Sequence, residues 1–247
     1  MRERVLTIFR QTPVILVSPH FENDFINEIS LEIADQLNCS VIVNNGFEKT
    51  NLCDPINSKA NCNLIDHCKQ ELVKEEFFDP FLKFCEKSLD GEKLKTIWNS
   101  FWGKEYSNPN PTIHVFHIHG CDDSICNSLN EDIYAIIGHG KGIKADSLTC
   151  ESWRKDLFCQ ILKGLTKHKI LEGESGSKYA ARDANCINQY FRKHKLIREI
   201  QSMQITIPLF QRKKVIETAD TLSECISKYI LFKNESEVIN YNRIISN

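Results

Sequence analysis

Four histidines stand where strands would deliver them to a site. The segment Pro111 to Asp123 reads P-T-I-H-V-F-H-I-H-G-C-D-D, an apolar run that carries His114, His117 and His119 and stops at Gly120 before two acids. Far earlier in the chain, P-V-I-L-V-S-P-H runs from Pro13 to His20 in the same way. Each has the form of a buried strand that presents a side chain at its end. If the two strands lie side by side, His20 and His119 meet, and F-E-N-D puts Glu22 and Asp24 close to them. A single histidine ending a buried strand is ordinarily a hydrogen-bonded structural residue. Two of them at paired strand ends, one with carboxylates nearby, point instead to a metal site. Strand alternation puts His117 on the face of His119, as a ligand, a supporting partner or a core residue, and His114 on the other face as a structural one.

The elements that must position these residues alternate between strand and helix. After the strand Val14 to Val17, Ile26, Ile29, Ile33, Ala34 and Leu37 recur at helical spacing and predict an amphipathic helix ending near Asn38. S-V-I-V-N-N, from Ser40, reads as a short buried strand closed by a turn at Asn44, Asn45 and Gly46. A right-handed parallel crossover is the default for such a unit. A polar stretch from Phe47 to Asp66 precedes helices between Ile65 and Trp102, with Phe77, Phe78, Phe81 and Phe84 among their buried residues, and S-N-P-N-P then breaks helix before the histidine strand.

Beyond that strand, E-D-I-Y-A-I-I-G-H-G-K-G predicts another buried strand entering a turn with Gly138, Gly140 and Gly142. Neither the Walker nor the dinucleotide pattern is met, so the glycines predict a turn whose backbone approaches the site, with His139 a solvated loop residue. Trp153, Leu157, Ile161, Leu162 and Leu165 mark a helix capped by Thr149 or Ser152, and a further helix is expected around Ala184 to Phe191. The strand I-Q-S-M-Q-I-T-I-P and a C-terminal helix with Ile216, Ala219, Leu222, Ile226 and Ile230 on one face complete the pattern.

Composition bounds the chemistry. With 247 residues, 41% of them hydrophobic, the chain can bury a full core. Lys+Arg at 31 against Asp+Glu at 33 gives a formal charge of -2, which argues against nucleic acid or an anionic membrane as the partner and leaves room for a small acidic substrate. The N-terminus lacks the apolar core and cleavage site of a signal peptide, and no apolar stretch approaches the ~18 residues of a membrane span. A soluble, cytoplasmic protein is expected. The 11 cysteines are odd in number and include no C-x-x-C pair, so most are expected to be small buried hydrophobes in a reducing compartment.

In order along the chain, V-I-L-V-S-P-H, D-P-I-N-S-K-A-N-C-N, H-I-H-G-C, I-G-H-G-K-G, N-C-I-N-Q-Y-F and M-Q-I-T-I-P-L-F-Q-R together resemble N-formylglutamate amidohydrolase-like proteins. Poly-γ-glutamate hydrolases and, more remotely, zinc carboxypeptidases are related to that family. The resemblance spans roughly the whole chain and implies a single α/β domain over residues 1–247, with a mostly parallel or mixed central sheet and helices on both faces. It also implies one catalytic zinc ion at the C-terminal ends of the strands, where open α/β sheets bind ligands, and an N-acylated or γ-linked acidic amide as substrate.

In such a site three His and carboxylate ligands hold zinc and leave a position for water. His20 matches the family's first ligand and His119 its last. The second is a carboxylate: Asp24, which begins the approach to the helix, is preferred to Glu22. The family's Gln-hydrophobic-Glu motif supplies the general base, and aligned on Q-I-T-I-P, Gln204 fits the glutamine while Thr206 stands where the glutamate belongs. Glu22 or Glu199 could take over, or the protein binds without efficient turnover. For the substrate carboxylate, Arg212, Arg182 and Arg154 are the candidates, with Arg212 first because it matches the arginine after that strand. Asn61 and Asn63 match a family segment near the site that also carries arginine, which this chain lacks there. A thiolate mechanism at Cys121 has no nucleophile turn to support it, and Cys121 is taken as structural.

Overall fold

Apolar runs bounded by proline and glycine become the central strands of a sheet. The computed structural model describes residues 4–20, 25–47, 73–88, 112–124, 132–140, 148–173, 179, 181, 187–193 and 200–232. In chain order these form β1 (Val5–Ile8), β2 (Val14–Ser18), α1 (Ile26–Gln36), β3 (Ser40–Asn44), α2 (Asp79–Ser88), β4 (Ile113–Cys121), β5 (Ile133–Gly138), α3 (Ser152–Leu165), β6 (Lys169–Glu172), α4 (Tyr190–Lys193), β7 (Ile200–Pro208), α5 (Leu209–Arg212) and α6 (Val215–Tyr229). A π-helical turn, Lys74–Phe78, runs into α2, and a 3-10 turn, Ile187–Gln189, runs into α4.

The seven strands form one sheet in the order β1-β3-β2-β4-β7-β5-β6. β3, β2, β4 and β7 are mutually parallel. β1 pairs antiparallel with β3 at one edge, and β5 pairs antiparallel with β7 on the other side, with β6 parallel to it. This is the mixed α/β sheet that the sequence leads one to expect. Strands buried on both faces read as continuous apolar runs, and every residue of β2, β3 and β5 is buried.

Alternation along the strands builds two cores. Leu16, Phe116, Ile118, Ile205 and Ile207 face α1, α3 and α6, where Ile29, Ile33, Phe158, Leu222 and Ile226 meet them. Ile15, Val17, Val115 and Ile200 face the other way, onto Phe77, Phe81, Phe84, Ile187 and Phe191. Among the described residues no helix is long and apolar enough to cross a membrane.

The differences from expectation lie at the edges and caps. β1 and β6 have only four residues each, too few to show a period. α3 begins after Glu151 with no side-chain cap, because the Thr149 hydroxyl donates instead to the Ser202 carbonyl at 2.8 Å. Ile216 is 58% exposed. The buried stripe of α6 runs through Thr218, Ala219, Leu222, Cys225, Ile226 and Tyr229.

Candidate metal centre

The parallel pairing of β2 with β4 sets Val17 opposite His117, so the residues that follow each strand converge at the same end of the sheet. There the His20 and His119 rings lie 4.7 Å apart between centroids, at an interplanar angle of 76°. His119 is 5% exposed and His20 is half-buried. The expected meeting of these two histidines is what the fold produces.

β7 forms the other wall. Its register with β4 places Thr206 beside His119 and Gln204 beside His117 on one face of the sheet. Both are buried, and the Gln204 amide Nε2 donates to Thr206 Oγ1 at 3.0 Å. Apolar residues would fill this face at lower cost, yet Ser202, Gln204 and Thr206 succeed one another along it. Asn188, from the 3-10 turn, donates to Ser202 Oγ at 3.4 Å. His117 lies beside this row, fully buried and edge-on to Phe81 at 6.2 Å. Burial drives its pKa down to about 3, so it is a neutral imidazole at physiological pH.

The loop into His20 is held by a residue whose sequence context marks only a turn. Asn44, at the end of β3, donates from Nδ2 to the Pro19 carbonyl at 3.0 Å and to the Phe47 carbonyl at 2.7 Å. Its Oδ1 accepts from the Gly46 and Phe47 amides at 3.2 and 2.8 Å. Asn27 of α1 accepts from Ser18 Oγ at 2.6 Å and donates to the Asn44 carbonyl at 3.0 Å. Asn44→Ala strips these partners from buried backbone groups, and chemical denaturation is expected to show a loss of about 2–4 kcal/mol. A loss below about 0.5 kcal/mol would mean that water replaces the amide without cost.

The other strand end is held from two sides. A Cβ on Gly120 would lie 2.6 Å from Arg212 Cζ and Nη1, so only glycine admits the guanidinium there. Arg212 Nη2 donates to the Cys121 carbonyl at 2.9 Å, and the Phe210 amide donates to Asp123 Oδ1 at 3.0 Å. Cys121 itself is buried, forms no disulfide and packs with Ile133 and Ile136.

Two expected neighbours lie elsewhere. β5 is antiparallel to β7, with Ile136 beside Thr206 and Gly138 beside Gln204, so Gly138 to Gly140 leave toward the opposite end of the sheet. His139 is 2% exposed rather than solvated, and its carbonyl accepts from the Thr149 amide at 2.9 Å. Arg154 is also at that far end: it pairs with Glu151 at 3.0 Å, and the Glu151 amide donates to Gln201, which stands beside His114. His114 packs on Tyr229 at 5.1 Å on the face opposite His119, as alternation predicts. Burial, reinforced by the Arg154 charge, holds its pKa well below the ordinary value. Glu22, Asp24, Asn61, Asn63, Arg182 and Glu199 lie outside the described residues.

The donor set suits zinc. Imidazole nitrogens and a carboxylate are its usual partners, and two imidazoles already converge. Among the described residues no third His, Cys, Asp or Glu joins them. The expected carboxylates, Asp24 and Glu22, belong to the undescribed residues between His20 and α1.

No family model matches the chain. No curated protein matches it by sequence. Among solved structures it is similar to an N-formylglutamate amidohydrolase from Ralstonia eutropha, with a TM-score of 0.54 at 10% identity over 93% of this chain and 99% of that one. A gene product of Agrobacterium tumefaciens gives a TM-score of 0.54 at 10% identity, covering 93% of this chain and 95% of that one. At such identities the likeness is one of fold.

Proposed function

We propose that this chain holds one zinc ion through His20, His119 and a carboxylate, Asp24 or Glu22, and hydrolyses an amide of an N-acylated or γ-linked acidic amino acid. The observation that carries the proposal is the approach of the His20 and His119 rings to 4.7 Å at the ends of adjacent parallel strands. The fold shared with an N-formylglutamate amidohydrolase supports the substrate class.

Bound there, zinc would polarise the scissile carbonyl and lower the pKa of its water to about 7. The chain's own part is to bring the two imidazoles together through the β2–β4 pairing, with Thr206 of β7 alongside His119 on the same face. At the position expected to hold the general base it presents Thr206, whose oxygen accepts the Gln204 amide and has no basicity near neutral pH. Slow turnover follows. For the acidic end of a substrate, Arg154 stands at the far end of the sheet and Arg212 is engaged with Cys121, which leaves Arg182 and the amides of Asn61 and Asn63 as the groups to test.

A second proposal, favoured by Thr206 itself, is that the site retains a ligand without turning it over. Incubating zinc-loaded and chelator-treated protein with N-formyl-glutamate and γ-glutamyl peptides decides between them. Slow release of glutamate that requires zinc is expected. Equal release after chelation contradicts the metal-dependent mechanism, while zinc retention without release above background selects the binding role.

A further inference from the structure

We infer that Arg212 is a positioning residue that clamps the backbone behind His119, rather than a grip on the substrate. Its zinc readout rests on the metal site proposed above; its geometry does not. Side chains alternate along β4, so His119 shares the face of His117 and Phe81, while Gly120 shares that of Phe116 and Ile118, which pack on α1, α3 and α6. The missing Gly120 side chain points at Arg212: a Cβ there would meet Cζ and Nη1 at 2.6 Å and Nε at 2.9 Å. The guanidinium therefore lies against the strand on the side away from the His119 ring.

From that position Nη2 reaches the next carbonyl, that of Cys121, at 2.9 Å. The backbone beyond His119 is thus held at two points, by the guanidinium lying against Gly120 and by a charge-assisted hydrogen bond to the Cys121 carbonyl. The hold is reciprocal. Asp123, just beyond β4, accepts the Phe210 amide of α5 at 3.0 Å, and α5 returns Arg212 to β4. Because α5 follows Pro208 directly at the end of β7, this clasp also fixes the His119 strand against the Thr206 strand. Arg212 is 5% exposed, and its Nη2 bond to the Cys121 carbonyl offsets part of the cost of burying the cation. To reach a ligand on the His119 face, the guanidinium would have to abandon both contacts.

Arg212→Ala, Arg212→Lys, Gly120→Ala and the Gly120→Ala/Arg212→Ala double variant test this. Lysine keeps the charge but lacks the planar fork. Residues that orient a metal ligand typically contribute 10–100-fold to metal affinity, so zinc affinity is expected to fall by about that factor in each single variant. Gly120→Ala displaces the same guanidinium, so the double variant is expected to be no weaker than either single one. In metal-free protein, amide exchange at Cys121 and Asp122 is expected to accelerate about tenfold or more in Arg212→Ala. If the parent protein binds no zinc, the metal proposal fails, and the exchange arm alone decides: faster exchange sustains the clamp and unchanged exchange overturns it. If zinc affinity and exchange stay at parent values while N-formyl-glutamate binds more weakly, Arg212 grips the ligand and the inference is wrong.

Discussion

Replacing Thr206 with glutamate is expected to raise zinc-dependent hydrolysis of N-formyl-glutamate by about 10²- to 10⁴-fold, the usual contribution of a positioned general base. The register supports the placement, because Thr206 stands beside His119 on the same face of the sheet. The environment also suits the chemistry. At 1% exposure, burial would push a carboxyl upward toward the pKa a base needs near neutral pH, and the Gln204 amide that now donates to Thr206 would donate to the new carboxylate. Packing a longer side chain there carries a cost of about 1–3 kcal/mol, so folding must be checked by thermal unfolding. Thr206→Gln separates size from basicity: it fills the same space and is expected to gain nothing. A gain in both variants would assign the effect to shape, and no gain in a folded Thr206→Glu protein would remove Thr206 from the catalytic position.

Acid is expected to destabilise the metal-free protein well before its carboxylates are protonated. His117 is held neutral by burial, with a folded-state pKa of about 3 against an ordinary 6.5, and His114 is shifted in the same direction. The unfolded chain takes up these protons first. Their stabilisation is therefore complete above pH 6.5 and is lost progressively as pH falls toward 3. Between pH 7 and pH 4, His117 alone accounts for about 3 kcal/mol at 1.36 kcal/mol per unit. Urea unfolding in chelator at the two pH values measures the loss. His114→Phe keeps a ring against Tyr229 and removes one titrating group, so its loss over the same interval is expected to be smaller than that of the parent. Equal losses would show that His114 is protonated in the folded state and that its burial does not set its charge.

The parts of this site that were legible in the sequence are those set by local pattern. Proline before β2 and β4 and continuous apolar residues within them marked strands buried on both faces, and two-residue alternation correctly divided His117 and His119 from His114. The direction of β5 was not legible, because the apolar run I-Y-A-I-I-G fits either orientation. Its antiparallel pairing with β7 is a tertiary choice, and it carries the glycine turn and His139 away from the centre. The role of Arg212 was hidden for a related reason: spacing put it just after β7 but could not say on which face of β4 its guanidinium would lie. Asn44 looked like a turn residue and is one, yet its amide also fixes the Pro19 carbonyl that precedes His20, a contact across 25 positions of sequence. The glycine of H-G-C carried a signal that can be read physically in retrospect, since a strand position lacking Cβ marks a close approach of another group.

The central claim is that His20 and His119 hold a metal together, and metal content measures it directly. Protein purified without added zinc, together with His20→Ala, His119→Ala and His114→Phe, should be analysed for bound metal after gel filtration. The expected result is about one zinc ion per chain in the parent and in His114→Phe, and near zero in both alanine variants. Negligible zinc in the parent, or undiminished zinc in His119→Ala, would contradict the claim.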